Sequence, residues 1–219
     1  MSTAAILVLM FGNLSGLEIT IVLVSIILSM AVHEAMHGFV AHWLGDDTAQ
    51  QEGRLTLNPL KHIDIFTTVL LPIVLILSGL PPFFAAKPVP FNPARVRFDE
   101  YGSALIGIAG PLTNLLLAIL AAGIFRIWGV NQTELIYTSL VLFTEVNIGF
   151  FVFNMIPFPP LDGSRLLYAF APEPLQQLML RIEQMGFVAI LIFVLLIFQF
   201  ISGPVIHIQQ QIITVLLGN

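Results

Sequence analysis

The sequence predicts an all-α polytopic membrane protein: about four transmembrane helices, a re-entrant segment, and short extended or β elements near a candidate active site. Three observations carry that expectation. Hydrophobic residues make up 57% of the 219 and charged residues only 10%, well under half the charge of an average soluble domain. The apolar residues gather in runs long enough for a helix to cross a hydrocarbon core about 30 Å thick. One long intervening stretch is instead broken by prolines, which rules out a continuous helix there.

The elements follow in order within one domain, residues 1–219. Residues 4–11 are apolar but too short to span, and Gly12, Asn13 and Gly16 interrupt them; they read as an extracytoplasmic lead-in. No Lys or Arg precedes Arg54, so the positive n-region of a secretory signal is missing. The first span is 17–44. A loop at 45–100 follows, containing an apolar segment at 65–80 broken by Pro72 and two extended stretches, Arg54-Leu55-Thr56-Leu57-Asn58-Pro59 and Lys87-Pro88-Val89-Pro90-Phe91-Asn92-Pro93. Both alternate or extend like strands. Further spans are expected at 101–128, 135–156 and 187–201, with 205–217 a mixed tail too polar to cross. No repeat is visible, and no stretch has room for a soluble accessory domain.

Net charge is −5 with no basic stripe, which argues against a nucleic-acid partner. There is no cysteine, so disulfides and thiolate metal sites are excluded, and any metal must rely on imidazole and carboxylate. His33-Glu34-Ala35-Met36-His37 supplies such groups inside the first span. Two histidines four apart share one helix face, close enough to hold a single ion, with a carboxylate beside them to handle a proton. Ionisable groups at membrane depth cost several kcal/mol and mark function by default. A five-residue match can be accidental in a soluble helix; that cost makes accident a poor explanation here.

Zinc suits two imidazoles and a carboxylate, leaving a position for water, so a third ligand is needed. His42 follows His33 by nine residues, about 180° around the helix. His62 in the loop and His207 in the tail read as surface residues. Asp162 has the better architecture: Pro157, Pro159 and Pro160 end the preceding helix and Gly163 frees the backbone, so the carboxylate can turn inward. Alone, Asp162-Gly163 would read as a boundary turn. Asn154 and Asn147, two turns apart on one face, are expected to point toward the site. Asn154 can donate to a developing oxyanion, hold a substrate backbone, or satisfy carbonyls freed by the prolines. Asn114, one turn after Gly110, reads as helix–helix glue. Glu145 has no evident role.

Topology follows from the site. If His33 and Asp162 share an ion, the C-terminal ends of their spans lie on one side of the bilayer. The segment at 65–80 must then dip in and return. Arg54, Lys61, Lys87, Arg95, Arg97, Arg165 and Arg181 fall on one side and Arg126 on the other, which makes the crowded side cytoplasmic and the N-terminus external.

Taken together, the His33–His37 motif, 54–64, 87–93, Gly110–Asn114 and the segment from Asn154 to Gly163 resemble the site-2 protease family of intramembrane zinc metalloproteases, in its minimal form without a PDZ domain. The resemblance covers nearly the whole chain. It implies His33, His37 and Asp162 as ligands of one catalytic Zn²⁺, Glu34 as catalytic base, and Asn154 near the reacting peptide. It implies hydrolysis of transmembrane protein or peptide substrates within the lipid bilayer, and a multi-pass protein of a bacterial or archaeal cell membrane. Two rival classes are a transporter with a buried metal site and a catalytically silent pseudoprotease or binding protein. A transporter would spread polar groups along several helices, and an intact Glu34 argues against the silent form. A prenyl-protein protease would draw its third ligand from a Glu, where this chain offers Glu145, Glu173 or Glu183.

Overall fold

The computed structural model describes residues 14–77, 86–128 and 135–218. Four of its helices are long and apolar enough to cross a membrane. Helix α1 is Gly16–Trp43, α3 is Asp99–Trp128, α4 is Leu135–Asn154 and α7 is Val188–Leu217. Between α1 and α3 lies a short helix α2, Ile65–Leu77. Two amphipathic helices, α5 (Gly163–Phe170) and α6 (Glu173–Gln184), join α4 to α7.

Local chemistry explains where α1 begins. The Ser15 hydroxyl accepts from the Glu18 N–H and the Glu18 carboxylate accepts from the Ser15 N–H, a reciprocal cap that satisfies two otherwise unpaired donors. The helix is apolar almost all round, yet its inward face carries Ser25, Ser29, His33 and His37, all buried. Leu23, Val24, Ile27 and Leu28 point outward and stay exposed. That inversion suits a bundle surrounded by lipid, where polar groups must be paired inside. α3 is the central element, packing against α1, α4 and α5, and α7 covers α4.

α2 consists of a six-residue π-helical turn and seven α-helical residues. At about 1.5 Å per residue, thirteen residues reach roughly 20 Å, short of a full crossing. Asp64 caps its start, accepting from the Phe66 and Thr67 N–H groups. Residues 78–80 of the expected re-entrant segment, and the lead-in at 4–11, lie outside the described residues.

Two expectations change. Among the described residues no strand forms; 54–58 and 86–92 run without regular helix or ladder, apart from a bend at 56. Pro88, Pro90 and Pro93 have no N–H to offer a ladder. Side chains and single backbone bonds hold these stretches instead. The Arg54 guanidinium donates to the Lys87 carbonyl at 2.6 Å, and the Lys87 N–H donates to the His62 carbonyl. Asp46 accepts from the Asn92 N–H at 2.6 Å. The second change is at the C-terminus, where the helix expected to stop at 201 runs on to Leu217. It passes a π-helical turn at Phe193–Ile197 and Pro204, and ends where Gly218 turns left-handed at φ 83°. The polar residues counted against that tail are partly satisfied along the helix itself, with Gln211 bonded to His207 one turn away.

Candidate metal centre

α1 delivers His33 and His37 from one face, and the turn after α4 delivers Asp162. His33 Nε2 lies 3.0 Å and His37 Nε2 3.5 Å from Asp162 Oδ2. The imidazoles meet edge to face, 4.7 Å between centroids. The three groups can hold one metal ion, their ligand atoms all within 4.8 Å of one another. Two nitrogens about 2.0–2.1 Å from a tetrahedral zinc stand roughly 3.3 Å apart, so this spacing suits that ion.

The far ring nitrogens are tied down. His37 Nδ1 donates to the Ile106 carbonyl at 2.7 Å and His33 Nδ1 to Asn114 Oδ1 at 2.6 Å. With Nδ1 protonated, both Nε2 lone pairs face Asp162, the arrangement metal-bound histidines need. Burial pushes the Asp162 carboxyl up, but the positive charge that His37 and His33 carry when protonated at Nε2, and the hydrogen bonds they then donate, outweigh it and hold the group below the ordinary carboxylate range; an ion held by the three groups would supply that charge in place of the protons. An ionised carboxylate is the form that ligates metal.

Gly110 keeps the centre open. A Cβ there would stand 2.6 Å from the Nε2 atoms of both histidines, inside any contact distance. α3 therefore presents a bare backbone to the metal-facing nitrogens, leaving space that any side chain would fill. The donor set and this opening fit a zinc ion.

Glu34 forms the wall beside the imidazoles, and its Oε2 accepts from the Val89 N–H at 2.9 Å. His33, Glu34, His37, Val89, Asn154 and Asp162 all line one cavity of about 480 Å³. Asn154 reaches it as expected; its side-chain amide also donates to the Phe150 carbonyl at 3.0 Å. Asn147 does not share that wall. It is fully buried and bonds Asn114 on the neighbouring helix. Asn114 joins helices as expected, but its oxygen also serves His33, a role the sequence reading missed. Ile106, Gly110 and Asn114 recur every four residues, so all three meet α1 from one face of α3.

Of the other histidines, His42 is exposed and pairs with Asp47 at 2.6 Å, away from the site. His207 is exposed as well. His62 is not a surface residue: it is 1% exposed, with Nε2 donating to the Thr56 carbonyl at 2.8 Å. Its ring serves as a bracket for the loop. Glu145 is half-buried and does not line the cavity.

A bundle of helices apolar enough to span a membrane, around two buried histidines and a half-buried aspartate that could hold a metal ion, has the build of a membrane metalloprotein. Similar proteins narrow the class. The chain is 35% identical over 178 residues to "Putative zinc metalloprotease YwhC" of Bacillus subtilis (strain 168), covering 77% of each chain. It is 27% identical to "Putative zinc metalloprotease Rip2" of Mycolicibacterium smegmatis and 25% identical to the Mycobacterium tuberculosis H37Rv protein of the same name. Each of these matches takes in 76% of this chain and 63% of the relative. No family model and no solved structure matches the chain. The chain belongs to the site-2 protease family of zinc metalloproteases.

Proposed function

We propose that the protein is an intramembrane zinc endopeptidase that hydrolyses peptide bonds in or near transmembrane segments of other membrane proteins, either to release a regulatory fragment or to clear signal-peptide remnants. One observation carries the reading. Two imidazole nitrogens lie within 3.5 Å of one carboxylate oxygen, beside Glu34, in a cavity between the strap at 86–91 and helices apolar enough to span a bilayer. In this reading His33, His37 and Asp162 hold the ion. Bound zinc supplies two effects, a lowered pKa for water and polarisation of a carbonyl oxygen. Glu34 takes the proton of the attacking water and passes it to the leaving amine. Asn154, on the cavity wall, holds the substrate backbone or donates to the developing oxyanion.

A helical substrate hides its peptide bonds, so the scissile segment must unwind. The extended pieces near Leu55–Leu57 or Val89–Phe91 are the surfaces against which it would lie as an added strand. At the second, Pro90 has no N–H and the Val89 N–H is bonded to Glu34, so these two residues have only carbonyls left to pair with it. The distribution of Lys and Arg supports a multi-pass orientation in the cell membrane with the site near the cytoplasmic face and the N-terminus outside. In that orientation α2 dips into the bilayer and returns.

The test is cleavage of a panel of transmembrane segments by purified protein, with metal analysis of the same samples. Wild type should cut with zinc bound, and Glu34→Gln should keep zinc and lose cleavage. Asp162→Ala should lose zinc. Normal cutting by Glu34→Gln would remove Glu34 from its role, and full zinc occupancy in Asp162→Ala would remove Asp162 from the ligand set.

A further inference from the structure

Resting on the metal site proposed above, we infer that Asn147 is a positioning residue: through Asn114 it dictates which nitrogen of His33 carries the proton, and so leaves Nε2 free for the metal. Donors and acceptors on buried side chains of α1, α3 and α4 fix one another's directions. An amide side chain can be turned either way, so a hydrogen bond between two amides does not by itself say which end is which. A backbone carbonyl removes the ambiguity, because it can only accept. The Asn147 side chain lies 2.9 Å from the Phe143 carbonyl oxygen, so the NH₂ end must face it. That end also donates to the Ser29 hydroxyl at 2.9 Å.

The consequence propagates. With its NH₂ committed, Asn147 presents Oδ1 to Asn114, which must answer with its own NH₂, at 2.9 Å. Asn114 Oδ1 is thereby turned to His33 and can only accept, so Nδ1 at 2.6 Å must be the protonated nitrogen. Ser29, Asn114 and Asn147 are each 0% exposed, with no solvent to substitute for a lost partner. His37 reaches the same tautomer in one step, bonding the Ile106 carbonyl directly. His33 needs a relay because the group beside it is an amide whose own direction must be fixed; the Asn114 NH₂ also reaches the Ser29 carbonyl, but at 3.5 Å, so the 2.9 Å bond to Asn147 is the stronger constraint. Reversed, Asn114 would offer a donor to Nδ1 and drive the proton to Nε2, the atom facing Asp162.

The experiment measures Zn²⁺ affinity of the purified full-length chain in detergent, by competition with a chromogenic chelator. Visible absorption of the Co²⁺ form reports ligand geometry, and circular dichroism checks helix content. Asn147→Leu should weaken Zn²⁺ binding about 10–100-fold, the usual effect of losing an outer-shell partner, and should alter the Co²⁺ spectrum. Asn147→Asp should restore both. Protonated, as membrane depth favours, it offers a carbonyl to Asn114 and an O–H to Phe143. Asn114→Asp, which unlike position 147 would lie directly against the His33 ring and so is ionised by that pairing, gives His33 an acceptor at either oxygen and needs no orienting. In that background Asn147→Leu should cost no further affinity, which keeps the idea testable if the single variant folds poorly.

Asn147→Leu holding zinc as tightly as wild type would overturn the relay, as would an equal loss in Asn147→Asp or an undiminished loss in the Asn114→Asp background. Those outcomes leave the metal site standing, because wild type still binds. A wild-type chain that takes up no Zn²⁺ overturns the site and the relay together.

Discussion

His33 and Glu34 are neighbours in sequence but belong to two differently built regions. The imidazoles sit in the helical bundle, where each Nδ1 is held by a group on α3 within 2.7 Å and buried from solvent. The Glu34 carboxylate instead meets the strap at 86–91, a stretch without regular structure that reaches it through one backbone N–H. With the roles proposed above, the metal half is thus positioned by packing of regular elements, and the base half by a loop tied at a few points. Regular elements give precision and loops give access. In the function proposed above, an unwound peptide must enter beside the base, which needs both, and the two halves should fail separately.

The largest expected effect separates them at one residue. Glu34→Gln keeps the shape of the side chain and its contact with Val89 but cannot accept a proton. Cleavage should fall about 10²–10⁴-fold, the range for a general base, while zinc content stays at one ion per chain. Turnover kinetics and metal analysis on the same preparation check this. Parallel loss of zinc and activity would merge the halves and defeat the comparison.

Next in size is Gly110→Ala, which attacks the metal half without touching a ligand. The added methyl would stand 2.6 Å from both Nε2 atoms, so the imidazoles must turn or α3 must shift. Zinc affinity should drop at least 10–100-fold, comparable to losing an orienting partner. Helix content should persist, since alanine favours helix over glycine by about 1 kcal/mol. Chelator competition and circular dichroism read the two quantities. Undiminished affinity would mean that the metal does not sit where the Nε2 atoms point.

These two cases also show how far the sequence could be read. The spans and the His33–His37 pair were legible because helical periodicity and membrane cost act locally, within one segment. Asp162 was legible because three prolines and Gly163 shape one turn. What stayed hidden depends on contacts between segments far apart in the chain. The Ile106 carbonyl has no side-chain signature at all. Asn114 looked like any intramembrane asparagine until α1 was placed beside it. His62 looked like a loop histidine because burial of a loop ring depends on which loop covers it. The strand expectation failed for a related reason: alternation at 54–59 and 87–93 was real, but a strand also needs a partner with free N–H groups, and the prolines supply none.

The base half can be loosened with less damage by Val89→Pro, which deletes the N–H that bonds Glu34 in a segment already flanked by Pro88 and Pro90. A hydrogen bond to a charged group contributes about 1.5–3 kcal/mol, so kcat should fall on the order of tenfold as Glu34 leaves its position. Zinc affinity should not move. Val89→Ala, which keeps the N–H and removes only the methyls that pack near Gly38, should retain most activity. Equal losses in both variants would assign the effect to packing and not to the hydrogen bond.

The smallest effect is at the far anchor of the same strap. Asp46 is fully buried at the end of α1, with Oδ1 accepting from the Thr48 N–H and hydroxyl and Oδ2 from the Asn92 N–H. Burial pushes this carboxyl up, but those hydrogen bonds outweigh it and hold it below its ordinary 3.8. A depressed folded-state pKa means that the ionised form stabilises the anchor at neutral pH. That contribution fades as pH falls through the folded value. Asp46→Asn replaces one acceptor with an NH₂ facing another donor, costing about 1–3 kcal/mol locally. Amide exchange at 92–97 should speed up in the variant at pH 7. In wild type it should rise, relative to the intrinsic rate, only once pH has dropped below 3.8. If the variant exchanges like wild type at neutral pH, Asp46 does not hold the strap, and the base half is positioned from the Arg54–Lys87 side alone.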